Sequence, residues 1–376
     1  MLHALNNIAS MYMQYDNDLP HAEQSYLEAL EIATASDFEQ NVLICYVNLS
    51  MLYCDIGKLD LAEHYLSLAK AKLVVISFSV ANVYAFVLLL TYNLLLKRNN
   101  YVKAATARDN IFAALKNSSI SVLQEDFNSV FYALNANMNL VLCEYDECLA
   151  NFKMARSKSS NIERKQAFNF EIELVTALKT GLVDNVKLKK NLAVILKISS
   201  SRAVYDLLAE VVNIISISIA MHKFNLFHDF ALAVVEFCKD IFDKNILTNI
   251  RLKVIKAVLD EHNAEKYIIE AIAELKRQRT PLLEILVNEQ LALHYFKKRK
   301  YAHGALVFIN VEKLILDFME QIPNDKKLYI FNMYAFKAPF QILYDFIKIG
   351  KTKITENVFY AKVSKVGFKR LLNSND

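Results

Sequence analysis

Glycine, proline and tryptophan are scarce in this chain: its 376 residues include five Gly, four Pro and no Trp. So few glycines leave little material for tight turns, strand hairpins or phosphate-cradling loops, and they favour long helices joined by short loops. The five cysteines (45, 54, 143, 148 and 238) are odd in number and widely spaced, with no CxxC pair and no matching His spacing. That pattern argues against a disulfide framework or a zinc ribbon and for reduced, buried thiols of a cytoplasmic protein. The N-terminal MLHALNNIAS lacks the basic and apolar regions of a signal peptide. Charge of one sign is also lacking, since 44 Lys and Arg face 40 Asp and Glu, a net of +4. Such a balance recommends neither nucleic acid nor anionic lipid as a partner, so any basic surface must be local.

Catalytic motifs are absent as well. GKT at Gly350–Thr352 would need a glycine at position 345 to be a phosphate-binding loop, and that position is Asp. No GxSxG, HExxH, EF-hand loop or dinucleotide fingerprint occurs. His222 and His228, six apart, fall on different helical faces, which is poor geometry for a shared metal. Cys143 and Cys148 bracket an expected interhelical turn with no basic residue beside them in sequence, so packing suits them better than redox chemistry. The chain therefore reads as a non-enzyme with no catalytic residue, no metal and no cofactor.

What is present is apolar and periodic. Hydrophobic residues make up 54% of the chain, enough for two or three domains or for one elongated repeat array. The run Leu73–Leu96 has twenty-four residues without a charge, which meets the length criterion for a membrane span. Ser77, Ser79, Asn82, Thr91 and Asn93 interrupt it, and polar-flanked helical patterns lie on both sides, so it reads as core. Internal similarity decides the architecture. ALNNIASMYMQYDNDLPHAEQSYLEALEIA (4–33) aligns with CYVNLSMLYCDIGKLDLAEHYLSLAKAKL (45–73). Leu49, Ser50, Tyr53, Gly57, Leu59, Ala62, Leu66 and Ala69 of the second unit, and Ile8, Ala9, Tyr12, Ala22, Tyr26 and Ala29 of the first, resemble the tetratricopeptide repeat. Tyr46 stands where that family usually has Trp. Equivalent positions recur at Ala22, Ala62, Ala104 and Cys148, steps of 40, 42 and 44 residues. A late unit carries Leu291, Ala292, Tyr295, Tyr301, Gly304 and Phe308 in the same order. Between about 156 and 284 the pattern stays helical, with a turn at KTGLVDN, but the repeat phase is lost.

The resemblance implies an all-α fold, a right-handed superhelical solenoid of about seven to nine antiparallel helical hairpins over residues 1–320. Residues 321–376 would form a capping helix and a basic tail. It also implies a protein- or peptide-binding module, the sensory or scaffolding part of a bacterial signal-transduction or transcription regulator. A stand-alone peptide-pheromone receptor of a phosphorelay and a membrane-tethered sensor are the alternatives. The chain begins inside a recognisable repeat, which suggests a fragment. First helices of such hairpins line a concave groove, which places Asn93, Asn137, Lys97, Asn6 and Asn48 there, with stacked amides offering donor and acceptor to a peptide backbone. The same asparagines also suit helix ends. Lysines between Lys348 and Lys369, with Arg370, give the tail the one surface expected to touch nucleic acid or membrane. A homo-oligomer is compatible with all of this.

Overall fold

The computed structural model describes residues 2–13, 18–75, 81–116, 125–239, 241–243, 245–276, 278, 280–334 and 336. Among these the chain forms helices throughout and no strand. The hairpins are α1 (Leu2–Met11) with α2 (Leu19–Ala35), α3 (Glu39–Asp55) with α4 (Leu59–Val75), α5 (Ala81–Lys97) with α6 (Tyr101–Lys116), and α7 (Glu125–Val141) with α8 (Tyr145–Lys158). They continue through the stretch where the motif fades: α9 (Ile162–Thr180) with α10 (Asn185–Ile198), α11 (Ser201–Ala220) with α12 (His228–Phe237), and α13 (Ile246–Leu259) with α14 (Ala264–Leu275). The last pair is α15 (Pro281–Lys297) with α16 (Tyr301–Glu320), and a short α17 (Lys327–Met333) follows. Most helices pack chiefly on their chain neighbours, and α11 packs chiefly on α9 and α13, as expected for a tetratricopeptide-like solenoid, here of eight hairpins among the described residues.

The register follows from one small side chain in six of the eight hairpins. Ala22, Ala62, Ala104, Cys148, Ala231 and Gly304 each occupy the fourth position of a second helix, and all are buried. At Gly304 an added Cβ would lie 3.0 Å from the Phe296 ring, so a side chain there would push the two helices apart. Close approach also lets hydroxyls bridge the pair: Ser50 donates to the Ala62 carbonyl and Ser129 to the Ala155 carbonyl, both at 2.9 Å. The fifth hairpin has Leu188 and the seventh Tyr267 at this position instead. Ala62→Leu is expected to overpack the joint and cost about 1–3 kcal/mol. Lys58→Ala, which removes only an ion pair to Glu23 and a ring contact with Tyr53, should cost at most about 1 kcal/mol. Urea titration of both variants checks the register.

Scarcity of glycine predicted few tight turns, and the structure corrects this. The turn residue takes positive φ at Asp37, Asn99, Cys143, His222 and Arg299 as well as at Gly57 and Gly181. At Gly57, Asn99, Cys143, His222 and Arg299 the same two backbone bonds close the helix end. Lys58 N, for example, donates to the Tyr53 carbonyl and Gly57 N to that of Cys54. This is the Schellman arrangement, and hairpin packing holds ordinary L-residues in a conformation that costs them about 1–2 kcal/mol each.

The apolar run Leu73–Leu96 is not one helix. It is split between the end of α4 and α5, and residues 76–80 between them lie outside the described set. One described helix, α11, is long and apolar enough to cross a membrane. Its inner residues, including Leu208, Val211, Val212, Ile214 and Ile215, are fully buried against the rest of the solenoid, so it serves as a core helix.

The solenoid also closes on itself. The turn of the second hairpin meets the seventh, where Ile246 N donates to the Ile56 carbonyl at 3.1 Å and Asn245 Nδ2 to the Asp55 carbonyl at 3.0 Å. The turn of the third meets the eighth: Val102 N donates to the Gln321 carbonyl at 3.0 Å, and Leu282 N to Asn99 Oδ1 at 3.3 Å. The turn of the fourth receives α17, with Tyr329 and Tyr334 hydroxyls donating to the Cys143 and Val141 carbonyls and Lys326 paired with Glu144 at 2.6 Å. An offset of five hairpins thus forms a continuous seam. A turn at Pro323 and the short helix α17 follow the eighth hairpin, while the basic tail Lys348–Arg370 and the GKT segment lie outside the described residues.

Candidate functional site

Closure along the seam turns the concave side of the array into an enclosed interior lined by the first helices. Five of them bring polar groups to one place. Asn137 of α7 donates from Nδ2 to Glu210 Oε1 of α11 at 3.4 Å, a bond that skips the hairpin between. Asn213 Nδ2 reaches the other oxygen, also at 3.4 Å. Glu171 of α9 lies near Glu210 and Asp206, and Lys97 of α5 and Arg251 of α13 lie near Glu210. The Asp206 side chain is 44% exposed. The interior is therefore open to water.

Charge in this interior is only partly paired. Arg202 bridges Asp206 at 3.0 Å and Asp55 of the second hairpin at 2.9 Å, tying the site to the seam. Glu171 is 4% exposed and has no hydrogen bond or ion pair. Burial raises its carboxyl well above the ordinary range, and repulsion from Glu210 and Asp206 adds to this. Burial raises Glu210 too, against the pull of Lys97 and Arg251, and raises Asp206 against Arg202. Arg251 is deep in the molecule, where burial disfavours its charge, and its guanidinium has no hydrogen-bonded partner. The Asn137 Oδ1 atom is buried without a partner. Arg202 Nη1 is likewise buried without a partner, and such atoms are costly to maintain; clustered perturbed carboxyls are a feature of binding sites.

Of the residues that the repeat register places in the groove, Asn137 and Lys97 join this cluster. Lys97 Nζ also donates to the Cys54 carbonyl at 2.8 Å, joining the third hairpin to the second. Asn93 lies one turn earlier on α5, half-buried, with no side-chain hydrogen bond. Asn6 and Asn48 bond each other at 3.3 Å between the first two hairpins, so their amides satisfy one another and stand apart from the charged cluster. Sequence reasoning missed Glu171, Asp206, Glu210 and Arg251, because they fall where the motif fades and nothing in spacing distinguishes them from solvated helix charges.

The thiols are all free and buried. Burial pushes Cys143 up to about 12, outweighing nearby Lys223, and raises Cys148 further, so neither is a ready nucleophile. His222 is hydrogen-bonded to Glu289 at 3.1 Å and His228 to Asp229 at 3.1 Å.

No family model and no curated protein matches this chain. Among solved structures it is similar to that of a Rap protein complexed with competence and sporulation factor, with 12% identity and a TM-score of 0.47, covering 88% of this chain and 96% of that one.

Proposed function

We propose that this chain is a non-catalytic helical repeat module that binds a short peptide in its interior, as the sensory part of a signal-transduction or transcription regulator. The observation that supports this reading is the convergence of unpartnered groups of both signs: Glu171 for a cationic group, Arg251 for a carboxylate, and Asn93 with Asn137 Oδ1 for backbone amides. A peptide offers all three within one small ligand, and a water-accessible interior lined by first helices gives it a way in.

Thermal unfolding in the presence of pentapeptides tests it. Peptides with one Lys or Arg and a free C-terminal carboxylate are expected to stabilise the chain in proportion to occupancy. The same peptides with the lysine acetylated or the terminus amidated should stabilise it less. Asn93→Ala with Asn137→Ala should weaken binding roughly five- to a hundredfold, at about 0.5–1.5 kcal/mol per amide contact. The pair should lower stability by no more than about 1 kcal/mol, because only Asn137 holds a protein partner. A panel that leaves the unfolding midpoint unmoved would count against the reading.

A further inference from the structure

Outside the interior, charge is distributed very unevenly. Between Lys153 and Arg202 the chain has eleven Lys and Arg against four Asp and Glu, a local +7 in a chain whose net is +4. At its centre α10 carries Lys187, Lys189, Lys190 and Lys197 and no acidic residue. Lys187 is held by Glu173 at 2.7 Å, whereas Lys189, Lys190 and Lys197 make no ion pair. Nearby acids are engaged elsewhere: Asp184 caps the helix through Lys187 N, and Glu163 accepts from Ser200.

The same face is apolar. Leu188 and Leu192 turn inward and are buried, while Val186, Val194 and Ile198 point outward and are between 52% and 78% exposed. Leu182, just before the helix, is 78% exposed, and Ile162, placed beside its far end by the Glu163–Ser200 contact, is 72% exposed. Leu182, Val186, Lys190, Val194 and Ile198 follow at four-residue spacing, so four aliphatic groups flank one ammonium group along a ridge roughly 20 Å long at 1.5 Å per residue. Folding leaves this ridge uncovered although it could have been polar at no cost to the core.

We infer that the outer face of α10, with Leu182 and Ile162, is a docking surface for an anionic lipid bilayer. A partner helix would need a groove to receive its anchors; a cavity of about 260 Å³ beside Glu173, Leu182 and Lys187 lies only at the start of α10, and from Lys190 to Ile198 the helix presents a ridge. A bilayer takes a ridge: the aliphatic side chains enter the acyl boundary while lysines on long stems reach the headgroups. The charge is complementary to the lipid and unspent on the protein.

The chain has no tryptophan, so Val194→Trp introduces a single indole at the middle of the ridge. With vesicles of 70% phosphatidylcholine and 30% phosphatidylglycerol its emission is expected to shift to the blue. Vesicles of phosphatidylcholine alone should shift it little, and Leu306→Trp on α16 should not respond to either. In flotation assays of the full chain, Lys190→Glu with Lys197→Glu should reduce binding to the anionic vesicles by about twenty-five-fold or more, at about fivefold per lysine charge removed. Val194→Ser with Ile198→Ser should also reduce it, whereas the charge-matched pair Lys276→Glu and Lys298→Glu should have less effect. All these positions are exposed. Wild-type chain that ignores anionic vesicles overturns the inference and leaves an acidic protein as the partner for this face. Binding that α10 substitutions leave unchanged also overturns it, by assigning lipid contact to the tail.

Discussion

Glu171→Gln is expected to make the protein more stable at neutral pH and a poorer ligand binder. The carboxyl is 4% exposed, lies among Glu210 and Asp206, and has no hydrogen-bond partner. Its folded-state affinity for a proton is raised, so the folded chain binds that proton more tightly than the unfolded chain does. Stability from this group is therefore greatest at acid pH and falls as pH rises from the ordinary carboxylate range toward the raised folded value. Glutamine removes the charge and with it that stretch of pH dependence. The gain at pH 7 should be about 1–3 kcal/mol, from removing a charge that burial and the Glu210 and Asp206 carboxylates disfavour. The two proteins should converge as pH approaches 4, where wild-type Glu171 is protonated in both states. Urea titrations at pH 4 and pH 7 read this directly. Affinity for a lysine- or arginine-containing peptide should drop roughly ten- to a hundredfold, the equivalent of one charge-assisted contact. A less stable variant at pH 7 would mean that Lys97 and Arg251 already satisfy the carboxylate and that it serves the fold rather than a ligand.

Such a group is what sequence reasoning is least able to find. The solenoid was legible because its physics is local: a small residue recurring at Ala22, Ala62, Ala104 and Cys148 shows itself in a single strand of text. The helix positions of Asn137 and Lys97 followed from the same register, which carries first-helix positions forward from one unit to the next. Glu171, Asp206, Glu210 and Arg251 gain their meaning from being on facing helices, a relation set by superhelical curvature and not by spacing. Turn chemistry was misjudged on composition alone. Cys143 and Arg299 occupy left-handed positions because the packed helices on either side offset the backbone cost, which no residue count reveals.

The seam was the other feature invisible in sequence, and Gly57 gives the sharpest test of it. This residue has φ of +78°, and a Cβ there would come 3.1 Å from both the Leu247 side chain and the Leu247 backbone nitrogen, 190 positions away along the chain. Gly181 has nearly the same backbone conformation, φ +72°, with nothing within 4 Å of its would-be Cβ. Valine at either site suffers the left-handed penalty of about 1–2 kcal/mol. At Gly57 it must also displace α13, adding about 1–3 kcal/mol of overpacking and pulling Ile246 N from the Ile56 carbonyl. Gly57→Val is therefore expected to cost about 2–5 kcal/mol and Gly181→Val about 1–2 kcal/mol, and the difference measures the seam alone. An open array unfolds by neighbouring units, whereas bonds between hairpins two and seven couple the two ends. Amide exchange in Gly57→Val should accordingly accelerate around Ile246 and Leu247 as well as around Gly57, and in Gly181→Val only near the substitution. Equal costs for the two variants, with exchange at α13 unchanged, would show that the second and seventh hairpins do not meet in solution, and the enclosed site that depends on their meeting would be lost with them.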